Sequence, residues 1–172
     1  TSGYIKFKGI HFHLGSNLHK VSFYEEAIEK VGEYLVSLKD AGLRVEELNI
    51  GGGLGIAYED HDPLPDIQHF VKVLCEKLIL TCKKKNIELP ELMLEPGRSI
   101  VGQAGCTLYT IGTIKEGGEA VHYAAVNGGM TDNLRTALYQ AKYTGVLANK
   151  ITSSEKKRPY KIVGKCCETG DV

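Results

Sequence analysis

Two amphipathic stretches of helical length, each set between short apolar runs, limit the folds open to this 172-residue chain. The opening "YIKFKGIHFHLG" reads as a strand whose aromatic and β-branched residues stop at Gly15. "FYEEAIEKVGEYLVSLKDAG" then places Ala27, Ile28, Val31, Leu35 and Leu38 on one helical stripe, with Ser22 as the expected cap and Gly42 as the stop. "VEELNI" predicts a short buried strand running into "GGGLG". Asp66 opens a second amphipathic helix reaching about Lys85, and "ELMLEPG" predicts a third strand. Strands separated by helices of this length imply parallel βαβ units with right-handed crossovers.

After Gly102 the pattern changes. "AGCTLYTIGTIKEGGEAVHYAAVNGG" alternates at period two around a Gly-Gly turn, which predicts antiparallel strands. "MTDNLRTALYQ" reads as a polar loop or short helix. "KYTGVLANKI" and "YKIVGKCC" read as further strands, joined by the flexible "TSSEKKRP". The expected organisation is therefore α/β plus β, with an α/β part over residues 1–102 and a β part over residues 103–172. Neither part looks complete, because a few parallel strands cannot close a barrel and leave apolar edges open.

Composition narrows the function classes. A hydrophobic fraction of 42% with 24% charged residues is that of a globular protein. Lys plus Arg equals Asp plus Glu at 21 each, so no basic field invites nucleic acid, and "CKKKN" and "SSEKKRP" are too short to change that. No uncharged apolar run is long enough to span a bilayer, and "TSGYIKFKG" has neither an initiator methionine nor a signal-peptide layout. Five cysteines with no disulfide-like spacing predict a reducing cytoplasm. Cys75 and Cys82, a heptad apart, are expected in the core.

The three strands end in "HFHLGSN", "NIGGGLG" and "EPGRS", and functional residues of α/β domains gather beyond such ends. "GGGLG" offers backbone N–H groups unshielded by side chains, as a phosphate nest or as a tight strand-to-helix turn; it lacks a Walker lysine and is not GxGxxG. In "HFH" the alternation puts His11 and His13 on one face, as a metal pair, as packed core residues, or with one ring stacked on an aromatic and Ser16 reaching a phosphate. No third metal ligand of matching character is evident, so no metal is expected. In "EPGR", Glu95 and Arg98 serve two groups of one ligand or brace the turn by a mutual salt bridge. A carboxylate beside a heteroaromatic nitrogen would keep that nitrogen protonated and make the ring an electron sink.

"GIHFHLGSN", "LNIGGGLGI", "LEPGRSIVGQAG", "VNGGMTDNLRTALYQA" and "CCETGDV", in that order, resemble the fold type III, alanine-racemase-like pyridoxal-phosphate decarboxylases in their diaminopimelate-acting version. The resemblance implies the C-terminal part of a (β/α)8 barrel binding pyridoxal 5'-phosphate, followed by the start of an antiparallel β domain. It implies that His13 stacks on the cofactor ring, that Ser16, Gly51, Gly52 and Gly53 contact phosphate, and that Glu95 partners the pyridine nitrogen. Gly97 and Arg98 border phosphate and substrate. Arg98, Arg135 and Tyr139 would hold substrate carboxylate, Cys167 would act near the reacting carbon, and Glu168 would recognise the distal amino-acid end. Asp171 receives only a supporting role, and Cys166 reads as structural. "CETGD" and "LRTALY" match the diaminopimelate version, whereas ornithine-type enzymes place an aspartate after the cysteine, and racemases of the fold have arginine in place of Glu95. The departures are "GSN" for the commoner "GSQ" and threonine for proline in "LRTALY".

The implied reaction is decarboxylation of meso-2,6-diaminopimelate to L-lysine and carbon dioxide, with catalytic roles for Cys167, His13 and Glu95. The Schiff-base lysine and a late phosphate-contacting tyrosine of the family have no counterpart in these residues. "CCETGDV" is accordingly expected to be an internal motif of a longer cytoplasmic enzyme, and this piece alone to be inactive. The family's cysteine–glutamate segment enters the other subunit's site, which implies a homodimer with its active site at the interface. Rival readings are a decarboxylase of ornithine, arginine or carboxynorspermidine, a non-catalytic paralogue, and a metal module built on "HFH" and the terminal cysteines.

Overall fold

The computed structural model describes residues 3–59, 61–117, 121–150 and 158–171. They fall into two units, Thr1–Gly105 and Cys106–Val172. The first contains β1 (Gly9–His11), α1 (Ser22–Asp40), β2 (Glu47–Asn49), α2 (Ile67–Lys85), β3 (Glu91–Met93) and the short α3 (Arg98–Val101). The strands form a parallel sheet in the order β1–β2–β3, with Ile10 opposite Leu48 and Leu48 opposite Leu92. The predicted βαβαβ order is therefore present.

Of the predicted first strand only Gly9–His11 forms β1, although Phe12 N–H still donates to Asn49 O at 3.0 Å. The N–H groups of Glu46 and Glu47 both donate to Lys8 O, so β2 offers nothing further towards the N-terminus. Ser22 is the first residue of α1 rather than its cap; Val21 flanks the helix without a side-chain bond. Gly42 does stop it. With φ +76, Gly42 donates to Lys39 O at 2.9 Å while Leu43 donates to Leu38 O at 2.9 Å, a Schellman ending. Asp66 caps α2 by accepting from His69 N at 2.9 Å.

α1 and α2 cover one face of the sheet, joined across their exposed flanks by Lys77–Glu29 at 3.0 Å. Tyr24 and Ile28 of α1, Phe70, Leu74, Leu78 and Cys82 of α2, and Leu48 and Ile50 from the sheet make one core. Tyr24 meets Phe70 edge-to-face at 5.0 Å. Cys82 lies in this core, where burial pushes its thiol up, whereas Cys75 is only half-buried. Alternation along β2 sends Leu48 into the helix-covered layer and Asn49 to the opposite face, level with His11 and Met93.

The second unit contains β4 (Ile111–Lys115), β5 (His122–Val126), α4 (Arg135–Tyr139) and β6 (Tyr160–Val163). β4 and β5 pair antiparallel, as the alternation predicts; Gly118 of the expected turn lies outside the described residues. β6 corrects the expectation of a purely antiparallel domain, because it joins β5 in parallel, Ala124 opposite Ile162. The long connection between them allows the crossover that a parallel pair needs. Residues 142–150 of the predicted strand "KYTGVLANKI" form no strand; Gly145 interrupts the alternation and Lys150 N–H folds back onto Leu147 O at 3.0 Å. Residues 151–157, including most of the linker, lie outside the described residues.

Before β4, the Tyr109 hydroxyl donates to Asp132, and this bond first, with burial second, pushes the phenol up to about 12. The fold favours the neutral phenol. Its contribution is complete below the ordinary value of 10 and is lost as pH rises through about 12. Phenolate absorbance should therefore show a tyrosine component near 12, and Asp132→Ala should return that component towards 10. Leu74→Ala removes a fully buried side chain and should destabilise the protein by roughly 2–5 kcal/mol in urea unfolding; an unmoved midpoint would place the core elsewhere.

Candidate functional site

The ladder of the first sheet continues past its strands, as Ile50 N–H donates to Met93 O at 3.0 Å and Glu95 N–H to Gly51 O at 2.9 Å. That extension brings all three strand ends to one place. His13, Ser16, Asn17, Gly52, Gly53, Leu54, Glu95, Gly97 and Arg98 line a single cavity of about 230 Å³. Gly51 is not among them. Its N–H is directed into Asn49 Oδ1 at 2.8 Å, so of the three glycines read as phosphate contacts, only Gly52 and Gly53 face the cavity.

The cavity floor exists because those two positions lack side chains. A Cβ on Gly52 would fall 2.2 Å from Glu95 O, and one on Gly53 would fall 1.9 Å from Gly15 O, with φ already at +98. Tyr24, anchored in the core, donates its hydroxyl to Gly52 O at 2.8 Å and ties this turn to α1. Asn17 takes φ +61, a conformation asparagine tolerates, and its Oδ1 accepts from Ile56 N at 3.3 Å. The asparagine of "GSN" thus has a local task on the far side of the glycine turn.

Polar groups divide between two ends. At one, Glu95 Oε1 accepts from Asn49 Nδ2 at 2.9 Å, and His11 Nε2 lies 3.5 Å from Glu95 Oε2. At the other, Arg98 Nη2 donates to Ser16 Oγ at 3.3 Å, and the guanidinium sits 5.8 Å from the Tyr58 ring centre. Among the described residues no ion pair joins Glu95 to Arg98. The two residues of "EPGR" are therefore turned to different neighbours and do not brace the turn against each other. His13 lines the cavity, with Nδ1 3.3 Å from Gly52 N.

Four sequence-predicted residues belong to the second unit. Arg135 and Tyr139 stand one turn apart on α4, guanidinium carbon 5.5 Å from the ring centre. Cys167 and Glu168 lie in the loop after β6, both exposed; Glu168 Oε1 accepts from Thr169 N at 2.9 Å. Sequence reasoning missed Asn49, which holds both Glu95 and Gly51. A signal for it existed: an amide side chain is unusual in a short buried strand, and this one directly precedes the glycine run.

Residues 2–102 match the family described as pyridoxal-dependent decarboxylase, pyridoxal binding domain. The chain belongs to that family. Among curated relatives of this chain, the diaminopimelate decarboxylase of Halalkalibacterium halodurans is 42% identical over 165 residues, covering 95% of this chain and 37% of its own. The crystal structure of diaminopimelate decarboxylase from M. jannaschii superposes with a TM-score of 0.80 at 35% identity, over 95% of this chain and 36% of that one. The same enzyme in co-complex with L-lysine gives 0.78 at 34% identity. The chain thus spans a little over a third of the length of these relatives.

The family's cofactor is pyridoxal phosphate, and the residues present fit it. Arg98 Nη1 is buried with no hydrogen-bond partner among the described residues, a cationic donor that an anionic oxygen would satisfy, beside the Ser16 hydroxyl and the glycine floor. At the other end of the cavity Glu95 offers a carboxylate steadied from two sides. Gly53→Ala should weaken pyridoxal-phosphate binding by the full-length protein at least about tenfold in an absorbance titration, with helical circular dichroism retained. Unchanged affinity would remove the glycine floor from the site.

Proposed function

We propose that the full-length protein decarboxylates meso-2,6-diaminopimelate to L-lysine and carbon dioxide. The observation that carries this reading is the separation of Glu95 from Arg98 within one cavity, in a chain whose relatives bear the name diaminopimelate decarboxylase. In this reading residues 1–102 are part of a (β/α)8 barrel and residues 103–172 the start of a β domain. The protein is a cytoplasmic homodimer, in which the Cys167–Glu168 segment serves the neighbouring subunit's site. The five free cysteines are in keeping with a reducing compartment.

Bound pyridoxal phosphate supplies an electron sink for the pair left on carbon when carbon dioxide departs. Glu95 would hold the ring nitrogen in its protonated form, with Asn49 and His11 keeping that carboxylate in place. Arg98, Ser16, Gly52 and Gly53 would hold the phosphate, and His13 would lie against the ring. Arg135 and Tyr139 bind the substrate carboxylate that is kept, giving orientation by charge-assisted hydrogen bonds. Glu168 pairs with the distal ammonium. The Cys167 thiol delivers a proton to the carbon that lost carboxylate and regains one from solvent.

Turnover of meso-diaminopimelate by the full-length protein, read as lysine formed and in competition with ornithine and arginine, tests the assignment. The diaminopimelate should be preferred, and Cys167→Ala should lower kcat by roughly 10²–10⁴-fold, the range for a lost general acid. Preference for ornithine or arginine would move the protein to a sister activity; no turnover of any of them would end the enzyme reading.

A further inference from the structure

The loop that carries Cys167 and Glu168 is built around Asp171, a residue given only an unspecified supporting role so far. Asp171 is buried, at 7% exposure, in a region where its neighbours Cys167 to Gly170 are all exposed. Its Oδ2 accepts from Cys166 N at 2.6 Å, and its Oδ1 accepts from Met130 N at 2.6 Å. One carboxylate thus joins the start of the Cys167 loop to the segment that runs on into α4 and its Arg135 and Tyr139.

Backbone bonds close the same joint. Gly164 N–H donates to Asp171 O at 2.8 Å, Asp171 N–H to Glu168 O at 3.0 Å, and Lys165 N–H to Gly128 O at 3.0 Å. Space is reserved for the carboxylate from both sides, since a Cβ on Gly164 would fall 2.3 Å from its oxygens and one on Gly129 would fall 2.7 Å from them. Gly170 packs towards Ala137 of α4, 3.3 Å from a notional Cβ. The Cys166 and Met130 N–H bonds also hold the Asp171 carboxyl below the usual carboxylate range, Cys166 being the larger cause.

We infer that Asp171 is the positioning residue for Cys167 and Glu168: by accepting one N–H from each segment, it fixes their loop against the approach to α4. The inference rests on the roles proposed for Cys167 and Glu168. Its chemistry demands a carboxylate. Both oxygens receive donors, and an amide of the same shape has only one acceptor oxygen, so Asp171→Asn sets an NH2 against one N–H whichever way it turns. The joint then opens with no change of volume.

Asp171→Asn and, independently, Gly164→Ala are to be made in the full-length protein. Four readouts are needed: kcat and KM for meso-diaminopimelate, the iodoacetamide alkylation rate of Cys167 by peptide mass spectrometry, pyridoxal-phosphate affinity, and melting temperature. Both variants should lower kcat/KM by about tenfold or more, the scale of a lost hydrogen bond to a charged group. The alkylation rate of Cys167 should change at least about threefold, with cofactor affinity within about twofold of the parent, because the cofactor contacts lie in the first unit. Variants that keep both kcat/KM and alkylation rate near the parent values overturn the inference. So does a loss of activity that tracks loss of cofactor and of melting temperature, which would make Asp171 a stability residue only. Where the parent protein does not turn over diaminopimelate, the functional reading falls, and the Cys167 alkylation rate alone still decides for or against Asp171.

Discussion

Three consecutive residues, the last two of β2 and the one after it, carry the division of labour on which the first unit depends. Leu48 and Ile50 point into the layer under α1 and α2 and are fully buried, while Asn49 between them points to the other face. A parallel strand must bury its apolar side chains under its crossover helices, and the period of two then delivers the intervening residue to the opposite face. There, at the end of the strand, Asn49 meets Glu95 and the first N–H of the glycine run. Tyr24 works across the same boundary, with its ring in the core and its hydroxyl on Gly52 O. Site geometry in this unit is thus set by the packing beneath it.

The second unit arranges its candidate residues differently. Little apolar surface is buried there; Ala124 is its one fully buried hydrophobic among the described residues. Order comes instead from acceptors placed against backbone N–H groups. Asn127 takes the N–H of Thr110, Asp132 that of Gly129, and Asp171 those of Met130 and Cys166. Such bonds are directional and specify loop geometry where packing would leave it loose.

Much of this was legible in the sequence, for reasons that differ by element. α1 and α2 announced themselves by apolar spacing, and their ends by Gly42 and Asp66, since both signals are local. The three strand ends could be grouped as one site because βαβ handedness admits few arrangements. The direction of β6 was not legible, because strand orientation depends on how a long connection returns and alternation is the same in either sense. "KYTGVLANKI" was overread for a related reason: β-rich composition says nothing about whether a partner edge is within reach. Asn49 escaped because its partners are set by sheet register. Gly51 was grouped with its neighbours although its N–H is taken by Asn49, a partner that the glycine run itself does not reveal.

Sheet connectivity also fixes how the first unit comes together in time. Gly9 pairs with Glu47, and Glu47 with Glu91, so each strand meets its neighbour across roughly forty residues and gains nothing from a hairpin. Closing such a loop is slow unless the intervening chain is already short, and it is the helices that shorten it. A 19-residue helix spans about 28 Å where an extended chain of that length would span more than twice as much. Helix formation in α1 and α2 is therefore on the route to the sheet, and the cavity at the strand ends is among the last features to exist. Substitutions at exposed positions of α1 and α2, far from the cavity, are therefore expected to change the folding rate of this unit.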